Sequence, residues 1–336
     1  MKTERLEVVA GQAGADAIER AADLLREGRL VAFPTETVYG LGALALDPAA
    51  VERIFEAKGR PAFNPLIAHV LDAEQARSLV RRWPPQAEAL AAAFWPGPLT
   101  LVLPKDPKVP DQVTAGLPSV AVRAPAHPVA RDLLRAVGAP IAAPSANRYM
   151  AVSPTAAPHV EKGLGGRIDA ILDGGATPLG IESTVLDLTG SAPVLLRPGA
   201  ITIEELSAVV GPIERPGASP AEGAARASPG MAHRHYAPDA KLELLPQEEI
   251  ASRIAAAPPA ERIGVVARSP RPAHVQVEAW LQLPSTPRGY ATQLYAALHA
   301  LEDAAVVTIL VESVPDGADW EGPRDRLSRA GGLRER

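Results

Sequence analysis

A layered α/β fold in two domains is what the chain predicts, and three observations carry that expectation. Short apolar runs of strand length alternate with amphipathic helical stretches through the first 205 residues, the signature of sheet packed against helix. The stretch GPIERPGASPAEGAARASPG, residues 211–230, has no periodicity and consists largely of Pro, Gly, Ala and Ser, so it reads as a linker. Beyond it the alternation resumes over a shorter length. The 336 residues agree, because domains average about 150 residues. The expected division is a domain over 1–208, a linker or lid over 209–239, and a smaller domain over 240–336.

Each element has a local reason. Asp16 to Glu27 sets Ile18, Ala21, Ala22, Leu24 and Leu25 on one helical face, and Gly28 stops it. Leu30–Phe33 is a short apolar strand closed by Pro34. Asp47 followed by Pro48 is an N-cap with proline at the first helical position, opening a helix to about Ala57. Leu66–Val70 is a strand, and two helices follow near Ala73–Arg81 and Pro85–Phe94. Strands at Leu99–Leu103 and Val120–Arg123, a helix at Pro128–Val137 and a strand at Pro140–Ala143 come next. Ile168–Leu172, Thr184–Leu188 and Val194–Arg197 complete the first domain as strands. Their mixed order predicts a mixed sheet rather than a strictly repeating doubly wound one. After the linker, strands at Lys241–Leu245, Ile263–Ala267 and Val306–Val311 alternate with helices at Glu248–Ala256 and Gly289–Leu301. That is a small Rossmann-like βαβ unit with a parallel sheet.

Composition excludes whole classes of chemistry. There is no cysteine, so thiol nucleophiles, disulfides and zinc–cysteine sites are out. Lys and Arg number 34 against 39 Asp and Glu, which rules out a broadly basic nucleic-acid coat but permits a local basic cleft. No apolar run approaches the roughly 20 residues of a membrane helix. The N-terminus lacks a signal-peptide core, so the chain is expected to stay in the cytoplasm.

Nucleotide-binding motifs are mostly missing. There is no P-loop pattern, and Gly40-Leu-Gly42-Ala-Leu-Ala45 fits G-x-G-x-x-A only in form. Its glycines lie seven residues past the strand, and no carboxylate follows about 20 residues on. Two glycines in a tight turn are the simpler reading. His233 and His235 lack a third ligand nearby, so no metal site is expected there.

The informative pattern is where strands end. Leu30–Phe33 runs into Pro34-Thr35-Glu36-Thr37-Val38-Tyr39-Gly40, and Val120–Val122 into Arg123-Ala-Pro125. Pro140–Ala143 runs into Pro144-Ser145-Ala146-Asn147-Arg148, and Val194–Leu196 into Arg197-Pro198-Gly199. Any one of these is readable as a Pro or Gly turn with local hydrogen bonds. Four ending in hydroxyls, an amide and two arginines point to a shared anion pocket beyond the strand ends. Lys58-Gly59-Arg60 ends a helix, where cations suit the dipole and Gly59 suits the cap. The same residues could equally grip a phosphate. His69, within a strand, reads first as a core residue.

Taken together, Pro34-Thr-Glu-Thr-Val-Tyr-Gly-Leu-Gly42, Lys58-Gly-Arg60-Pro, Ala143-Pro-Ser145-Ala-Asn147, Glu182-Ser-Thr184-Val and Arg197-Pro-Gly199 resemble the threonylcarbamoyl-adenylate synthases. Ser228-Pro-Gly-Met231 and His235-Tyr-Ala-Pro238 resemble the linker motif of their long, two-domain form with a YrdC-like N-terminal domain. The resemblance implies a twisted mixed-sheet catalytic domain with a large concave cavity. It implies condensation of L-threonine, bicarbonate and ATP into threonylcarbamoyl-AMP and pyrophosphate. The product would pass to a separate transferase complex acting on position 37 of tRNAs that read codons beginning with A. By motif, Thr37, His69, Arg123, the backbone at Ala143 and Ser183 would hold L-threonine. Lys58, Arg60, Asn64, Ser119, Ser145, Asn147, Ser153 and Arg197 would contact ATP, with Lys58, Arg60, Ser145 and Asn147 nearest the chemistry. Tyr236 would fold back over the nucleotide as part of a lid, and Mg²⁺ would arrive with the phosphates. His69 is a weak candidate for the general base, because a group poised near neutral pH could deprotonate the threonine ammonium. One departure is Ala232, where the linker motif of the family carries a basic residue. Arg234 is the substitute. The segment around Gly322–Leu327 diverges, and no catalytic residue is expected beyond the linker.

Two alternatives remain from sequence. Residues 119–167 hold six basic residues against two acidic ones, a wall suited to weak tRNA contact or to a non-catalytic RNA-binding module. A related carbamoyl-transferring maturation factor would need zinc-finger cysteines, which this chain lacks.

Overall fold

The structure is a computed structural model that describes residues 2–9, 11–216 and 235–332. The motif Ser228–Met231, together with Ala232, His233 and Arg234, lies outside the described residues. The first domain runs β1 (Glu4–Glu7), α1 (Gln12–Arg26), β2 (Val31–Pro34), β3 (Tyr39–Leu44), α2 (Pro48–Lys58), β4 (Ile67–His69), α3 (Ala73–Arg77), α4 (Pro85–Phe94) and β5 (Leu99–Pro104). It continues through α5 (Asp111–Thr114), β6 (Ser119–Arg123), α6 (Pro128–Val137), β7 (Ile141–Ala142), α7 (Ala157–Leu164), β8 (Ala170–Asp173), β9 (Thr184–Asp187), β10 (Val194–Arg197) and α8 (Ile203–Val210). The second comprises β11 (Lys241–Leu245), α9 (Gln247–Ala255), β12 (Ile263–Ala267), β13 (Ala279–Gln282), α10 (Pro287–Asp303), β14 (Thr308–Glu312) and α11 (Glu321–Ala330).

The first sheet has ten strands in the order β1-β8-β2-β3-β7-β4-β6-β5-β9-β10, with parallel and antiparallel neighbours mixed. Helices cover both faces. Ala21, Leu24 and Leu25 of α1 and Leu133 and Leu134 of α6 pack on Val31, Phe33 and Ile141. On the other face Val51 and Ile54 of α2 and Leu90 of α4 pack with Leu30, Ala32 and Leu41. Alternate residues of β2 therefore enter opposite layers, as the two-residue strand period requires. The second sheet is wholly parallel, in the order β11-β14-β12-β13.

Local chemistry sets several boundaries. Asp47 caps α2 by accepting from the N–H groups of Ala49 and Ala50, Pro48 follows, and Gly59 closes the helix at φ 64°. The helix expected over Ala73–Arg81 stops at Arg77, because Val80 instead pairs with Lys105 as an isolated bridge. The reading of Gly40 and Gly42 as a tight turn is corrected. Both lie within β3, paired antiparallel with β2. A Cβ on Gly42 would stand 2.9 Å from both Phe33 and Ile141. Close packing against its neighbours, and not a turn, calls for glycine there. Helices α5, α7, α8 and α11 and strands β1, β3 and β13 are not predicted from the sequence.

Candidate active site

Sheet order assembles the cavity. Of the adjacent strands β3-β7-β4-β6-β5-β9-β10, all but β5 place a residue of the strand, or one beside its end, on one opening. Its walls include Thr37, Arg60, His69, Arg123, Ala143, Ser145, Ser183, Arg197 and Tyr236. The four polar strand ends named above thus meet in one place. Thr37 is aimed by a hydroxyl-stabilised turn. Thr35 Oγ1 donates to the Val38 carbonyl at 2.7 Å and accepts from the Thr37 N–H at 3.2 Å.

Arg123 ends β6 directly opposite His69 at the end of β4. Its Nη2 donates to Glu36 at 2.7 Å, its Nη1 to Thr37 Oγ1 at 3.0 Å and its Nε to the Gly97 carbonyl at 3.3 Å. Both members of the Arg123–Glu36 pair are buried. Burial opposes the Glu36 charge, but Arg123 and the Ala126 N–H hold its pKa below the ordinary range. Each terminal nitrogen of Arg123 carries a second N–H beyond the one given to Thr37 or Glu36. His69 is neutral. Burial and the Arg123 charge push its pKa down to about 3. Its Nδ1 lies 3.2 Å from the Ile67 carbonyl. A pKa near 3 speaks against the candidate role of His69 as a base poised near neutral pH.

Also on the wall, Ser183 Oγ shares a 2.8 Å hydrogen bond with Thr100 Oγ1 and accepts from Arg197 Nη2 at 3.1 Å. Arg197 also reaches Tyr236 Oη at 3.5 Å. Arg60 donates to the carbonyl of Pro65 at 3.0 Å, and burial lowers its pKa to about 10, leaving it charged. Tyr236 is buried and sits at φ 59°, and its neighbour Ala237 donates to the carbonyl of Met150, itself at φ 69°. Two non-glycine residues in the left-handed region are strained, so tertiary contacts hold the linker end in place. His235, also buried, is kept neutral by burial and by Arg60, Lys58, Arg197 and Arg329.

Other expected residues lie to one side. Lys58 and Asn147 line a neighbouring cleft of about 660 Å³ between the domains. Lys58 Nζ donates to the Ser145 carbonyl at 2.6 Å and to both oxygens of Asn147. Ser145 Oγ donates to Asn147 Oδ1 at 2.5 Å, so the three form one cluster joining cavity and cleft. Burial and Arg60 push the Lys58 pKa well down. Asn64 donates to Tyr149 Oη at 3.1 Å. Ser119 opens β6 at the end away from Arg123 and lines neither space. Ser153 lines neither space either, and its hydroxyl is committed to Glu182 at 2.5 Å. This differs from the nucleotide contact expected of it, because a fully buried hydroxyl takes the nearest charged acceptor. Glu36, Thr100, Tyr149 and Glu182 had been given no role. For Glu36 and Glu182 the signal was present, in acidic residues set within the hydroxyl-bearing motifs.

The arrangement is cationic and rich in hydroxyls. Among the described residues no cluster of three metal-ligating side chains occurs, and Glu182, on the wall, is occupied by its own partners. These walls suit a substrate carrying a carboxylate and phosphates, held by positioning and charge rather than by a covalent nucleophile. Among the described residues no helix is long and apolar enough to cross a membrane.

Comparison with known proteins agrees with this geometry. Residues 23–199 match the Sua5/YciO/YrdC family model, described as "Telomere recombination". Residues 201–332 match the model described as "Threonylcarbamoyl-AMP synthase, C-terminal domain". The threonylcarbamoyl-AMP synthase of Pyrococcus abyssi is 45% identical over 325 residues, covering 94% of each chain. That of Bacillus subtilis is 44% identical over 327 residues, covering 94% of this chain and 93% of its own. The crystal structure of P. abyssi Sua5 complexed with L-threonine superposes with a TM-score of 0.91 at 43% identity, over 99% of this chain and 98% of that one.

Proposed function

The chain belongs to the threonylcarbamoyl-AMP synthase family, and from that premise we propose how its residues condense L-threonine, bicarbonate and ATP into threonylcarbamoyl-AMP and pyrophosphate. The observation that carries the proposal is the convergence of Arg60, Arg123 and Arg197 with the hydroxyls of Thr37, Ser145 and Ser183 on one cavity under Tyr236.

The second N–H groups of Arg123 take the threonine carboxylate, with Glu36 fixing the plane of the guanidinium. Thr37, Ser183, the Ala143 backbone and neutral His69 complete that end. The threonine amine attacks the carbon of bicarbonate, or of CO₂ formed from it by loss of water, and loses a proton as the carbamate forms; in direct attack on bicarbonate a C–O bond breaks and that oxygen departs as water. A carbamate oxygen then attacks the α-phosphorus of ATP, and the bond to the β-phosphate oxygen breaks, releasing pyrophosphate. Arg60 and Arg197 stabilise charge on the phosphates, and the Lys58–Ser145–Asn147 cluster steadies the leaving group. Asn64 reaches the same end. Ser119 and Ser153 enter only if nucleotide binding rearranges β6 and the Glu182 contacts. Mg²⁺ belongs to the substrate as MgATP, because these walls offer it no uncommitted carboxylate. Tyr236 covers the nucleotide and shields a hydrolysable mixed anhydride from water. We place the reaction in the cytoplasm and assign the product to a tRNA threonylcarbamoyl transferase complex. The basic residues of 119–167 allow a weak direct tRNA contact.

The test is a mass-spectrometric assay with MgATP, bicarbonate and L-threonine, with serine and no-amino-acid controls and pyrophosphate counted in parallel. Threonine-dependent threonylcarbamoyl-AMP is expected. Folded protein that yields neither product would overturn the reading in favour of the RNA-binding alternative.

A further inference from the structure

No described residue of the C-terminal domain lines the catalytic cavity, yet that domain drives a full charge in beside it. Arg326 of α11 has a completely buried side chain and donates from Nε to Glu182 Oε2 at 2.7 Å. Asp325 accepts from its Nη1 at 2.5 Å and orients the group. The guanidinium carbon lies 5.3 Å from the centre of the Tyr236 ring, within cation–π range. Tyr295 of α10 donates to the same Glu182 oxygen at 3.0 Å. One turn on, the Arg329 carbonyl accepts from the His235 N–H at 3.2 Å. Glu182 in turn precedes Ser183, whose hydroxyl lies on the cavity wall.

Joining two domains does not require a buried ion. An apolar filler of equal volume would do so without the desolvation cost. What a guanidinium adds is direction, because one rigid group holds Glu182 through Nε and Asp325 through Nη1 while its charge sits over the Tyr236 ring. We propose that Arg326 is a positioning residue, through which the C-terminal domain sets the Tyr236 ring and the Glu182–Ser183 segment in their working places. The inference rests on the synthase reading only for its kinetic readout.

The test uses the full-length chain with Arg326→Lys and Arg326→Met, alone and combined with Tyr236→Ala. Lysine keeps a charge for Glu182 but loses the fixed fork that joins Glu182 and Asp325 beside Tyr236, so it carries the test if the methionine variant fails to fold in thermal melts. In ligand-free protein, amide hydrogen exchange across residues 235–240 is expected to rise about tenfold in Arg326→Lys. In the assay, KM for ATP is expected to rise five- to tenfold in Arg326→Lys, more than kcat falls. The double variant Arg326→Lys/Tyr236→Ala is expected within twofold of Tyr236→Ala alone, because coupled residues are not additive. Unchanged exchange, or effects on ATP that multiply in the double variant, would overturn the proposal while leaving the synthase activity standing. Increased exchange in a protein whose wild type makes no threonylcarbamoyl-AMP would refute the synthase reading and support the coupling.

Discussion

At the scale of single residues, the site is built from charges that hold one another. Glu36 is the plainest case. Its carboxylate is 2.7 Å from Arg123 Nη2, so it sets the orientation of the guanidinium assigned to the threonine carboxylate. Glu36→Gln keeps the shape and weakens the hold. We expect KM for threonine to rise about tenfold, or roughly 1.4 kcal/mol, with KM for ATP within twofold. Steady-state kinetics with each substrate varied in turn decide this, and an unchanged threonine KM rejects the role. His69 gives the opposite expectation. With its pKa near 3, it cannot shape the profile around neutrality, so His69→Gln should weaken threonine binding and leave the pH dependence of kcat where it was. A lost limb between pH 6 and 8 would show that this imidazole titrates during turnover. The motifs made Thr37, Arg123 and Ser183 legible as types. The commitment of Ser153 to Glu182 was not legible, because the two residues are 29 positions apart in the chain.

At the scale of elements, capping chemistry can be read locally and strand pairing cannot. Asp47, Pro48 and Gly59 bound α2 because each acts through its own backbone neighbourhood. The run Tyr39–Leu44 is a strand because β2 and β7 flank it, and its glycines suggested a turn only while those neighbours were unknown. Gly42→Ala tests the close approach. Its methyl would press on Phe33 and Ile141 at 2.9 Å, which predicts a loss of about 1–3 kcal/mol. Denaturant titration reads this directly, and a variant as stable as the parent would show that the neighbouring strands can yield.

At the scale of the whole molecule, the two domains share an apolar seam. Val38, Val152, Ile181 and Tyr236 pack in one cluster with Leu294, Tyr295 and Leu298. His159 of α7 stacks on His299 of α10 across the same boundary, with ring centres 4.0 Å apart. Burial first, and then the neighbouring His299, lowers the pKa of His159 to about 4. In the unfolded chain such imidazoles take protons near pH 6.5, whereas in the folded molecule His159 does so near 4 and His69 near 3. The unfolded state binds more protons throughout that window, so stability falls as pH drops from about 6.5 toward 4. The slope approaches about 1.4 kcal/mol per pH unit for buried His69 and is less for partly exposed His159. Below about pH 4.5 the depressed carboxyls Glu36 and Glu182 add to the loss. Urea midpoints measured at pH 7.5, 6 and 5 should fall in that order. A flat series would mean that these histidines are as solvated folded as unfolded.

What the sequence determined by itself was the class of architecture and the chemistry of the walls. Strand alternation, helix caps and the polar ends of strands are short-range signals, and the hydroxyl, amide and guanidinium types already specified an anion pocket without a nucleophile. Only the tertiary structure decided which charges are spent on one another. Arg123 is shared with Glu36, Ser153 is given to Glu182, and Arg326 arrives from a helix whose sequence carried no motif. Those pairings depend on which elements the sheet order and the domain seam bring together. A buried charge finds its partner in space, whatever their separation along the chain.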